Sequence, residues 1–171
     1  MKKVFALLMI LATVSVACKN SDRSAKAPAP KDNYSETNYT GDLFFKMERT
    51  PCFGRCPVYE VSITPSGEVT FIGKHFVEMQ GTYKAQVSEF FLDQIADYAR
   101  KINYFEMEEK YDSEVTDLPA TTTTLWLNGQ MHSVYNRMGA PQELIAFEKY
   151  VEEMIFEIEG WEIVEMTEQR Q

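Results

Sequence analysis

Histidine, tryptophan, cysteine and positive charge are all scarce in this chain of 171 residues. Its two histidines, His75 and His132, are each isolated. No Ser/His/Asp order and no histidine pair at metal-ligand spacing can be traced, so no hydrolase constellation can be named. Lysine and arginine number 17 against 26 acidic residues, for a net charge of −9. A surface of that sign repels phosphate backbones, which argues against nucleic acid as a partner. It also offers no basic patch to anionic lipid headgroups. Beyond the N-terminus no apolar run is long enough to span a bilayer, so no membrane helix is expected.

What is present begins with a leader. In Met1 to Ala17, Lys2 and Lys3 form a positive start, and Val4 to Val14 is a short apolar run. Ser15-Val16-Ala17 supplies the small residues of a cleavage site. These small residues directly before Cys18 resemble the lipobox of bacterial lipoproteins, in which the cysteine becomes the acylated first residue of the mature chain. Ser15 departs from that family, which prefers Leu, Val or Ile there. Ordinary signal peptidase would also accept Ser15 and Ala17, and would leave Cys18 as a thiol. The cysteine arithmetic favours acylation: three cysteines leave one odd. Lipid on Cys18 accounts for it and leaves Cys52 and Cys56 to pair. Loss of Lys2 and Lys3 with the leader moves the net charge from −9 to −11. The membrane is then touched through the N-terminal acyl chains alone.

Residues 18–42 read as the acylated cysteine and a flexible tether. Ala27-Pro28-Ala29-Pro30 is locally extended, and only Tyr34 and Tyr39 are aromatic. Such a chain has an end-to-end distance of roughly 25–30 Å, enough to hold a domain clear of a bilayer. Lys19-Asn20-Ser21-Asp22 resembles the surface-export tags on some lipoproteins of the Bacteroidota.

The domain is expected over residues 43–165, followed by a disordered tail, 166–171. Leu43 to Glu48 alternates as a strand does, with Leu43, Phe45 and Met47 on one face. Val58 to Thr64 alternates likewise. Pro65-Ser66-Gly67 turns the chain into Glu68 to Ile72. One more strand pair or a wide loop is expected over Gly73 to Ala85. Ser88 caps a helix over 89–102, whose stripe is Phe91, Leu92, Ile95, Tyr98, Ala99 and Ile102. Tyr104 to Asp117 reads as irregular. Thr121 to Leu127, Asn128-Gly129 and Gln130 to Tyr135 form a second hairpin. Pro141 opens a last helix that Gly160 ends. Its stripe is Leu144, Phe147, Val151, Met154, Ile155 and Ile158, and its other face carries Glu143, Glu148, Glu152, Glu153, Glu157 and Glu159. Trp161 and Ile163 are expected to fold back. The fold class is α+β: a two-layer sandwich, with an antiparallel sheet of two hairpin-based halves and two helices packed on one face.

Between the first two strands lies Thr50-Pro51-Cys52-Phe53-Gly54-Arg55-Cys56-Pro57. Outside the cytoplasm its cysteines favour a structural disulfide that clamps a bend. Thiol redox chemistry normally uses two intervening residues at a helix start; here there are three, and a strand follows. A third reading is a soft-metal site. Cys-x-x-x-Cys-Pro locally resembles the copper site of Sco-type copper chaperones, which implies a distant histidine, here His75 or His132. The thioredoxin-like order of that family is missing. Asp112, Glu114 and Asp117 offer oxygen ligands for calcium, but without the glycine turn or closing Glu of an EF-hand.

This motif, with Phe45, Gly67, Gly73, Gly81, Asp117-Leu118-Pro119, the Asn128-Gly129 hairpin and Trp161 after the last helix, resembles domain-of-unknown-function family 6438. The resemblance runs from about Leu43 to Ile163. It implies secreted or lipid-anchored bacterial proteins and assigns no activity, catalytic residue or cofactor. The leading expectation is a non-enzymatic lipid-anchored protein of a Gram-negative cell envelope, at the outer membrane. Its domain would be a binding or scaffold module for an envelope protein partner. The alternative is a copper-binding or thiol-redox accessory protein using Cys52 and Cys56.

Overall fold

The computed structural model describes residues 42–115 and 117–166. The leader, Cys18, the tether up to residue 41 and the tail from residue 167 lie outside the described residues. The strands are β1 (Phe45–Arg49), β2 (Val58–Ile63), β3 (Glu68–His75), β4 (Gly81–Gln86), β5 (Lys110–Tyr111), β6 (Thr121–Leu127), β7 (Gln130–Asn136) and β8 (Glu162–Glu165). The helices are α1 (Glu89–Lys101), between β4 and β5, and α2 (Gln142–Phe156), between β7 and β8. All strands join one sheet in the order β5-β7-β6-β1-β2-β3-β4-β8. The molecule is an α+β fold with both helices packed against this open sheet.

Local chemistry accounts for most of the elements. In β2 the alternation buries Tyr59, Val61 and Ile63 and turns Glu60 and Ser62 away. The Ser88 hydroxyl accepts the Phe91 N–H at 3.4 Å and opens α1. Asn128 and Gly129 both have positive φ, 54° and 76°, as a type I′ turn requires. That turn sets β6 against β7 with Leu125 opposite His132. Leu92, Ile95, Ala96 and Ala99 of α1 and Leu144, Phe147, Val151 and Ile155 of α2 share one core with the inner face of the sheet. Tyr98 and Phe147 join the two helices edge to face, 5.6 Å apart.

Two details differ from the sequence pattern, and one open alternative is decided. The sheet has one parallel pairing, β5 with β7. It arises because residues 104–117, expected to be irregular, hold a 3₁₀ turn, Tyr104–Glu106, and the two-residue strand β5. The uncertain stretch after β3 resolves as a third hairpin, with β4 paired along β3 from Gly81 to Gln86. Helix α2 stops at Phe156, short of Gly160. Gly160, at φ 75°, instead turns the chain so that Trp161 packs on Phe71 at 5.9 Å. Ile163 follows in β8, paired to Tyr83 but 61% exposed.

Candidate functional site

One row of residues crosses six strands at the end of the sheet where β1 runs into the cystine loop. Asn136, Thr121, Arg49, Tyr59, Gly73 and Gly81 stand opposite one another in turn. Helix α2 lays two carboxylates over the row. Asn136 Nδ2 donates to Glu148 Oε2 at 2.8 Å, and the Tyr59 hydroxyl donates to Glu152 Oε1 at 2.6 Å. The Arg49 guanidinium donates to Thr121 Oγ1 at 3.2 Å and stands 3.8 Å from Glu152 Oε1. Glu148 is only 5% exposed, and its Oε1 has no hydrogen-bond partner. Burial is the main cause that pushes its carboxyl up to about 7, helped by the Glu152 charge and opposed by Asn136 and Arg49. Burial, then Glu152, holds the Tyr59 hydroxyl well above the usual phenol range. The sequence pattern sets Glu148 and Glu152 on the outer face of α2; the structure turns both inward. Their i, i+4 spacing from Leu144, beside Phe147 and Val151, is the signal that placed them on the buried ridge.

The loop below this row is closed by a Cys52–Cys56 disulfide, with the Cα atoms 5.8 Å apart. It is tied to the segment before β6. Thr50 N–H donates to the Ala120 carbonyl at 2.9 Å, Ala120 N–H donates to Thr50 Oγ1 at 2.8 Å, and Phe53 N–H donates to the Asp117 carbonyl at 3.1 Å. The loop thus holds Phe53 outward, 91% exposed. It also holds the Arg55 guanidinium over the Phe76 ring, 5.6 Å from its centre. Phe76 begins the β3–β4 connection at φ 55°, a region that bulky residues rarely enter. A Cβ on Gly73 would collide with the Met79 carbonyl, so glycine lets this connection fold back over the sheet end.

The connection and the end of α2 enclose a cleft of about 450 Å³. Pro57, Val77, Met79 and Ile158 line it, with the rings of Phe76, Phe156 and Trp161 and the carboxylate of Glu78. Phe156, which lines the cleft, sits edge-on to Tyr59 of the polar row at 5.6 Å. A second, polar cleft of about 550 Å³ adjoins it through Phe76, Val77 and Glu78, and adds Arg55 and His75.

The remaining sequence candidates are spread apart. His75 lies opposite Val58, at the clamped end. His132 lies at the far end of the sheet, its ring 5.5 Å from Tyr104 and 6.2 Å from Phe105. Asp112 is engaged by Lys110 at 2.9 Å and Arg137 at 3.6 Å, and the Lys110 hydrogen bond is the first cause that holds its carboxyl below the usual range. Glu114 is exposed, and the Asp117 carbonyl serves the cystine loop. Among the described residues no three His, Cys, Asp or Glu side chains gather as metal ligands do.

A family model for a domain of unknown function, DUF6438, matches residues 43–155. The chain belongs to the DUF6438 family. The match takes in the polar row, the cystine loop and the β3–β4 connection of the DUF6438 domain. Phe156, Ile158 and Trp161, which complete the cleft, follow it. No curated protein matches the sequence.

Proposed function

We propose that the protein is anchored to the cell envelope through lipid on Cys18 and that its DUF6438 domain is a binding module. The binding face is the clamped end of the sheet. The observation that carries this reading is the apolar cleft of about 450 Å³, walled by three aromatic rings beside a disulfide-closed loop. Its size and lining are those of a ligand site. A rigid loop beside it lowers the entropy lost on binding. The copper or thiol-redox alternative needs Cys52 and Cys56 as free thiolates, whereas here their sulfurs are joined to each other. The test is a titration of the labelled domain with toluene, followed by NMR. Shifts should concentrate on Trp161, Met79 and Phe156, and Trp161→Ala should remove them. No shift at these residues at saturating toluene would overturn the cleft as a binding site.

A further inference from the structure

Arg55 and Glu78 both line the polar cleft that adjoins the apolar one, and neither has an ion partner among the described residues. Arg55 covers the ring of Phe76, which lines both clefts. Glu78 lines both clefts directly. Two opposite charges on one concave surface, not spent on each other, constrain what fits there. A ligand that spans the two adjoining clefts meets both. A simple anion gains from Arg55 what it loses to Glu78, and a simple cation does the reverse. Only a ligand carrying both signs gains from both. An apolar body is required as well, because Phe156, Ile158, Met79 and Trp161 offer no polar group to the cleft interior beyond the indole N–H.

We propose that the cleft takes a zwitterion with a large apolar body, the chemistry of an apolar α-amino acid or of a short peptide of such residues. This rests on the binding reading above and names its ligand. The apolar body lies against Phe156 and Trp161, the carboxylate on the Arg55 guanidinium and the ammonium on the Glu78 carboxylate. His75 adds a ring to the polar side. The disulfide has a direct role here: it fixes the loop that carries Arg55, so little freedom is lost when the carboxylate docks. Exposed charge contacts are weak, so each is expected to change affinity by about twofold to fivefold.

The test is an NMR titration of the folded domain with L-phenylalanine, the dipeptide Phe-Phe, 3-phenylpropionate, phenethylamine and toluene. One of the two zwitterions should bind several-fold tighter than either single-charge analogue. Which one does so separates a free amino acid from a peptide as the source. Arg55→Gln and Glu78→Gln, both at exposed positions, should each reduce that affinity to the level of the analogues, and added salt should do the same. Equal binding of all five probes at the cleft would overturn the zwitterion while leaving the binding reading intact. A response from none of the five, toluene included, would overturn both.

Discussion

Glu148 is the residue whose environment is least like its place in the sequence. Its carboxyl is raised from an ordinary 4.5 to about 7, chiefly by burial. The folded protein therefore holds this proton more tightly than the unfolded chain does. The stability that comes with the proton is fully present below pH 4.5 and is lost as pH rises to 7. A shift of that size corresponds to about 3 kcal/mol. Asp112 works in the opposite sense, since its carboxyl is lowered, but it lies in an exposed ion pair that solvent screens. Comparing the parent with Glu148→Gln isolates the buried group. We expect the variant to be more stable than the parent at pH 8 and close to it at pH 5. The gain should fall short of the full shift, because the new amide N–H also lacks a partner at Oε1's position. Urea midpoints at the two pH values decide it. A variant weaker than its parent at pH 8 would mean that Glu148 is held as a needed anion.

At the scale of elements, the cystine loop and the second hairpin are local devices with separable contributions. A closed loop of five residues contributes only about 2 kcal/mol by the chain-entropy estimate. Cys52→Ala with Cys56→Ala should therefore lower stability by about that amount and leave a folded domain, because Thr50 and Phe53 still bond to Ala120 and Asp117 of the segment before β6. Chemical unfolding of the oxidised parent and the double variant measures this. A variant that fails to fold would show the disulfide holding far more than its own bend. In the hairpin, a Cβ on Gly129 would meet nothing within 4 Å. The whole effect of Gly129→Val is thus backbone strain at φ 76°, and more than about 1 kcal/mol should be lost. An unchanged denaturation midpoint would show that the turn tolerates a β-branched residue there.

For the whole molecule the decisive question is attachment. Cys18 lies beyond the described residues, and the small residues before it with the polar stretch after it motivate acylation. Replacing Cys18 by Ser should stop processing and move the protein from the membrane fraction to the soluble one. If parent and variant fractionate and migrate alike, the lipid anchor is wrong. Without residues 1–17 the net charge would be −11, which an anionic bilayer repels, so electrostatic contact is not expected to hold the Cys18→Ser protein there. Among the described residues no helix is long and apolar enough to cross a membrane.

The sequence by itself determined what is decided over a few residues. Period-two alternation set the inner face of β2, the 3.6-residue stripes set the buried sides of α1 and α2, and Asn128-Gly129 set the register of β6 on β7. The odd count of three cysteines favoured pairing Cys52 with Cys56, and the structure joins them. Tertiary structure alone decided the rest. Tyr59 and Glu152 are 93 residues apart and meet only because α2 crosses the end of the sheet. The same crossing turned Glu148 from a surface charge into a buried acid. It also brought Phe156 and Trp161 to the β3–β4 connection that Gly73 allows to fold back. A carboxylate at the margin of an apolar stripe reads the same whether it faces water or a neighbouring strand. Only the docking angle of the helix, set by the summed packing of the core, chooses between them.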